Sequence, residues 1–309
     1  LFRSVFFVLE VKHLVKHFGD LCAVNDVSFA VQPGSIMGII GQNGSGKTTI
    51  FRMILNFLKL EPGASIEWQG KPMSSQVYDT VGYLPEERGL YDKMTIEDQI
   101  VFFAELRGMK KTQVLEKIDY WMKKFDVRGK RSDKIKSLSK GNQQKVQLIA
   151  TLIHEPKLMI LDEPFSGLDP VNADLLKQGI LELKAKGSSI IFSSHNMNNV
   201  EEICDHLVMI HYGKQVLSGT VDEVKESFGR TRIFLESPDW NQAQLEALPG
   251  VENVRHLTGH RYHLILSDES AGHAIFDAVT QGKYIAQFSQ QPPTLDEIFK
   301  LKVEVSDHE

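Results

Sequence analysis

With 309 residues, 42% of them hydrophobic and 24% charged, the chain is long enough to bury a sizeable core in one large or two smaller domains, and its unbiased composition argues against disorder or a repeat array. A formal net charge of −5 disfavours a general nucleic-acid coat and a polybasic membrane anchor. Cys22 and Cys204 stand far apart without CxxC or Cys/His ligand spacing, which argues against a disulfide framework and against zinc, and fits a reducing cytosol.

Residues 1–7 are apolar but far too short to span a bilayer and show no small-residue cleavage site, so they read as an extension ahead of a domain that begins near Val8. Strands are expected over 8–15, 24–31 and 36–40. The run Gly41-Gln42-Asn43-Gly44-Ser45-Gly46-Lys47-Thr48 follows directly, and a helix is expected over 49–58. Small residues there let backbone N–H groups turn inward around phosphates, Lys47 supplies a point charge to the outer phosphates, and the Thr48 hydroxyl is a magnesium ligand. A strand before the loop and a helix after it are the context such a nucleoside-triphosphate site requires.

Further along, a strand is expected over 81–84, helices over 96–106, 114–125 and 142–154, and strands over 158–161, 189–192 and 207–211. Leu138-Ser139-Lys140-Gly141-Asn142 opens the third of these helices, where Ser139 taken alone reads as a simple N-cap and, placed ahead of the acidic strand that follows, as part of an anion site. The strand at 158–161 delivers Asp162-Glu163 to a sheet end. One carboxylate there is suited to a magnesium shell and the next to polarising a water, although acidic residues also occur at ordinary solvated strand ends. A helix over 170–186 starts with Pro170, Gly213-Lys214 reads as a tight turn, and a helix over 221–228 closes the first domain. Strand, helix, strand, strand, helix, strand then follow at 231–235, 242–248, 251–256, 262–266, 271–280 and 284–288, the order of a ferredoxin-like unit, with a last helix at 295–303.

Over roughly residues 9–228 these motifs, in this order, resemble the ATP-binding cassette of the ABC transporter superfamily, most closely its NatA-like, ABC-2-type bacterial exporter branch. The resemblance implies an α/β P-loop NTPase with a RecA-like core, an antiparallel β subdomain and a helical subdomain at about 92–156. The cassette would span 8–229 and a small α+β accessory domain 230–309. It also implies ATP and Mg2+ as cofactors. Glu163 is then the catalytic base, His195 the switch histidine and Lys47 the phosphate lysine. Nucleotide contacts are expected from Phe18, Val24, Gln42, Asn43, Gly44, Ser45, Gly46, Lys47, Thr48, Thr49, Glu86, Ser139, Gly141, Asn142 and Asp169, with the metal at Thr48, Asp162 and Glu86. Phe18 would stack on adenine, and Ser166-Gly167-Leu168-Asp169 resembles the D-loop. The chain departs from the family pattern at Glu86, where glutamine is usual, and at Leu-Ser-Lys-Gly-Asn, where Leu-Ser-Gly-Gly-Gln is usual.

One phosphate loop and one signature turn per chain imply a head-to-tail dimer with a second copy or a paralogous cassette. The sequence offers no membrane span, so separate permease subunits would dock near 91–107 and hold the protein peripherally on the cytoplasmic face of the cell membrane. Export of sodium ions or of small drug-like or peptide cargo follows from the branch, with no nucleic acid expected. The competing expectation is a soluble ABC-type ATPase acting on ribosomes or DNA. It is disfavoured because such cassettes usually come paired in one chain or interrupted by long insertions.

Overall fold

The computed structural model describes residues 8–87 and 89–306. The expected extension at 1–7 lies outside these, as does Arg88 in the segment after Glu86. The first part of the chain runs β1 (Leu9–Phe18), β2 (Leu21–Val31), β3 (Ile36–Ile40), α1 (Lys47–Ile54), β4 (Ser65–Trp68), β5 (Lys71–Pro72), α2 (Ser75–Tyr78), β6 (Val81–Leu84) and α3 (Ile96–Glu105). It continues through α4 (Lys111–Lys124), α5 (Lys140–Leu152), β7 (Leu158–Leu161), α6 (Pro170–Ala185), β8 (Ser189–Ser194), α7 (Met197–Ile203), β9 (His206–His211) and β10 (Lys214–Thr220).

The described strands up to β10 form a single sheet in the order β5-β4-β1-β2-β10-β9-β3-β8-β7-β6. One side is antiparallel, β1 pairing with β2 and β4, and β4 with β5. The other is parallel through β9, β3, β8, β7 and β6. Every residue of β3 and of β7 is buried, which is why both read as unbroken apolar runs instead of alternating ones. Beside the sheet, α3 packs on α4 and α5 through Ile96, Ile100, Val114, Ile118, Val146 and Ile149, all 0% exposed. Burying each such side chain stabilises the fold by roughly 1.5–3 kcal/mol before entropy is counted.

The turn between β9 and β10 is Tyr212-Gly213, one residue earlier than expected. Both have positive φ, 43° and 77°, as a two-residue type I′ hairpin turn demands. Gly213 also has no room for a side chain, since a Cβ would lie 2.7 Å from the Ala23 carbonyl oxygen. Strands β4 and β5 and helices α2 and α7 were not expected from the sequence; each is short.

The described chain forms two compact units that meet between Gly219 and Thr220, ahead of the expected break after Gly229. Thr220 forms a capping box with Glu223, so a new element, α8 (Val221–Glu226), starts there and belongs with the second unit. That unit continues β11 (Arg232–Glu236), α9 (Gln242–Glu246), β12 (Val251–His256), β13 (Arg261–Leu266), α10 (Ala271–Thr280), β14 (Gln287–Gln291) and α11 (Leu295–Ser306). Its sheet, in the order β12-β13-β11-β14, is antiparallel throughout, the arrangement of a split βαβ unit. Ile233, Leu235, Leu245, Leu264 and Ile275 centre its own core. The last strand falls at Gln287–Gln291, later than the expected 284–288.

Candidate functional site

The parallel strands β3, β7 and β8 end side by side, and the loops leaving them converge, as ligand sites do at the carboxyl edge of such sheets. After β3, Gly44 and Gly46 take left-handed backbone, φ 81° and 107°. A Cβ at Gly46 would lie 2.5 Å from the Ala23 carbonyl oxygen, and one at Gly41 would lie 2.3 Å from that of Ile210, so only glycine lets the loop close. Gly46 caps α1 without any side-chain bond, which leaves the first N–H groups of the helix turned toward an incoming anion.

Lys47 is buried, at 6% exposure. Its ammonium donates to the carbonyls of Gly41 and Gln42 at 2.9 and 3.0 Å and stands 3.4 Å from Glu163 Oε1. From the end of β7, the Asp162 N–H donates to Leu84 O at 2.8 Å, and Glu163 follows in left-handed backbone with φ 48°. Ser193, on β8, donates its hydroxyl to Asp162 Oδ1 at 2.7 Å and accepts the Glu163 N–H at 2.8 Å. Two residues on, His195 Nδ1 lies 2.9 Å from Glu163 Oε2.

Two buried carboxylates thus face one buried ammonium, and Asp162 Oδ2 and Glu163 Oε1 are enclosed without a hydrogen bond. An excess of negative charge and an orphaned carboxylate oxygen suit a divalent cation. No group of three His, Cys, Asp or Glu side chains among the described residues is placed to hold a metal unaided. Magnesium keeps waters and shares substrate phosphates, so it needs few protein ligands.

A cleft of about 490 Å³ runs over this site. Phe18, Asn43, Gly44, Gly46, Lys47, Thr48, Thr49, Glu86 and Glu163 line it, with Leu21 and Ala23. Phe18 is 48% exposed and offers a ring face at one end. Glu86 also borders a neighbouring cavity of about 280 Å³ that includes Asp162, Gln144 and Gln147.

Other expected contacts lie elsewhere. Val24 is completely buried in the core beneath the loop, and Ala23 takes its place at the cleft wall. Gln42 contributes its carbonyl, and Ser45 turns inward at 4% exposure. Ser139, Gly141 and Asn142 stand apart from the cleft lining, at the start of α5, where Ser139 Oγ accepts the Asn142 N–H at 3.4 Å. Asp169 caps α6, and the Asn172 backbone N–H donating to it holds its carboxyl below the usual range.

Ser193 was missed in the sequence. Its place two residues before His195, near the end of β8, is the one available signal. A second feature went unread, a groove of about 340 Å³ lined among others by Leu55, Phe57, Tyr83, Leu90, Phe103 and Arg107. Burial, and then the Asp162 carboxylate, push the Tyr83 phenol up to about 12, so it is neutral at physiological pH. Tyr91 and Leu106, at 54% and 61% exposure, extend apolar surface on the same helical region.

The family described as "ABC transporter" matches residues 24–166, and that described as "ATP-binding protein DrrA1-3-like, C-terminal domain" matches residues 219–303. The chain is 42% identical to the uncharacterized ABC transporter ATP-binding protein YhaQ of Bacillus subtilis, over 96% of this chain and 98% of that protein. It is 35% identical to the ABC transporter ATP-binding protein NatA of the same organism, over 66% of this chain and 85% of NatA. Among solved structures, an ATP-binding subunit of an ABC transporter superposes with a TM-score of 0.67 at 31% identity, covering 72% of this chain and 93% of the other.

Proposed function

Because this chain belongs to the ABC transporter family of ATP-binding proteins, we propose that it powers an exporter by closing head to tail on a second cassette around ATP. It is an ATPase and the ATP-binding subunit of an ABC transporter. The observation that carries the mechanism is the convergence of Lys47, Asp162, Glu163 and His195 at three adjacent strand ends. Phe18 would stack on the base, the loop N–H groups and Lys47 would bind the phosphates, and Thr48, Asp162 and Glu86 would hold magnesium. The metal supplies charge neutralisation to the phosphates. Glu163 takes a proton from the attacking water, which displaces ADP in line from the γ-phosphorus. His195, just past the end of β8, holds the carboxylate of Glu163 in place and would act on the γ-phosphate of a bound nucleotide. Ser139 and Gly141 stand outside the cleft of their own chain, which supports their use across a dimer interface.

No described helix is long and apolar enough to cross a membrane, so the work passes to permease subunits that hold the protein at the inner face of the membrane. The groove beside Phe103 and Arg107, with Tyr91 and Leu106 on the same helical region, supports docking at 91–107 by a short intracellular segment of such a permease. Export of sodium ions or of small drug-like or peptide cargo is the reading that the resemblance to the exporter branch carries. The test is to pull down a tagged Glu163→Gln variant from detergent-solubilised membranes with ATP and magnesium. Recovery of a multi-span protein is expected. Ribosomal or DNA-processing proteins in its place would overturn the permease assignment.

A further inference from the structure

Of the groups around the site, Ser193 is the one whose chemistry is fully determined by its neighbours. It is 0% exposed, so no water competes for it. A hydroxyl has one proton to donate and two lone pairs to accept with. The Glu163 N–H can only donate, so Ser193 Oγ is its acceptor, at 2.8 Å. An ionised Asp162 can only accept, so the Ser193 proton goes to Oδ1, at 2.7 Å. With Oδ1 engaged, Oδ2 is the oxygen left without a partner, enclosed on a residue only 1% exposed.

We propose that Ser193 is a positioning residue that assigns the two Asp162 oxygens their separate tasks and pins Glu163 beside them. Oδ1 is held by the protein, and Oδ2 is presented to the divalent cation. The same hydroxyl accepts the N–H of Glu163 and so helps secure its left-handed backbone, φ 48°, a conformation that non-glycine residues adopt only under strain. Ser193 lies near the end of β8 and His195 is the first residue beyond it, so this stretch of chain grips Glu163 twice, at its N–H through Ser193 and at its carboxylate through His195. A displacement of β8 therefore moves the metal-facing carboxylate and the base together. Losing a hydrogen bond behind a metal ligand typically costs about 10–100-fold in metal affinity.

The inference rests on the assignment of Asp162 to the magnesium shell, and its test separates the two. Trinitrophenyl-ATP is titrated into the full-length chain with Mg2+ and again with EDTA, and the ratio of the two affinities is compared between variants. Wild-type protein should bind more tightly with Mg2+. In Ser193→Ala that ratio should fall by roughly 10-fold while the affinity in EDTA stays the same. Ser193→Thr, which keeps donor and acceptor, should restore it. If Ser193→Ala fails to fold, Ser193→Cys is read by the same ratio, since a thiol is a weak donor of similar size. An unchanged ratio, or equal losses with and without Mg2+, overturns the positioning role. No Mg2+ effect in the wild type overturns the metal assignment and this proposal with it.

Discussion

Glu163 carries the most concentrated demand on a single side chain, since it lies between the Lys47 ammonium, the His195 ring and the Ser193 hydroxyl. Glu163→Gln keeps the shape and removes the base. ATP binding should survive, and steady-state phosphate release should fall by about 10²–10⁴-fold. Wild-type turnover in that variant refutes the base assignment. Gly46 is constrained by geometry instead of chemistry. With φ at 107° and a Cβ 2.5 Å from a backbone oxygen, Gly46→Ala should lose nucleotide binding and roughly 2 kcal/mol or more of stability, read by calorimetry with and without ATP. Lys47, Asp162, Glu163 and His195 were legible in the sequence because their types recur in a fixed order around apolar strands. Ser193 was not, because its meaning lies in contacts to residues on the neighbouring strand's exit, and a serine near a strand end has many ordinary uses.

At the scale of elements, the central parallel strands could be read almost to the residue, since burial on both faces leaves no polar position to blur their ends. Strand β14, sequence QFSQQ, could not, because a polar edge strand lacks the alternation that marks one buried face. Strand β5 consists of two exposed residues and has no pattern to read. Helix packing gives a sharper prediction at Gly179 in α6, where an added Cβ would meet Phe125 Cζ at 2.5 Å. Alanine gains about 1 kcal/mol of helix propensity there. Overpacking costs about 1–3 kcal/mol. The Phe125 ring is stacked on Trp121 and 1% exposed, so it has little room to yield. Gly179→Ala should therefore lower the melting temperature by about 2–4 °C, and a rise would show that the ring can move. His154, just past the end of α5, brings a pH dependence. Burial first, and then the charge of Arg107, lower its pKa from 6.5 to about 4. The unfolded chain binds the proton first, so this contribution to stability is intact above pH 6.5 and is lost as pH falls toward 4. Denaturant midpoints between pH 7 and 4.5 should decline less in His154→Gln than in the wild type.

For the whole molecule, the proposed nucleotide-contacting residues all precede Gly219 and so lie in the first unit. Ending the chain after Gly219 should leave trinitrophenyl-ATP affinity within a few-fold of full length. A loss of binding would mean that the second unit completes the site. Residues 220–309, with a separate core around Ile233, Leu264 and Ile275, should unfold cooperatively as an isolated fragment. If ATP-driven pairing of Glu163→Gln survives the same truncation, the second unit does not brace the dimer. The alternation of strands and helices made both architectures legible. The position of the break was harder to read, because Thr220 both ends a strand and caps a helix.

The base end of the cleft is walled by Phe18, Leu21 and Ala23, and none of these side chains can donate to or accept from the edge of a purine. An aromatic face takes guanine as readily as adenine. GTP offered at equal concentration should be consumed within a few-fold of the ATP rate, and a preference for ATP of about 100-fold or more would place base-edge contacts beyond these three side chains.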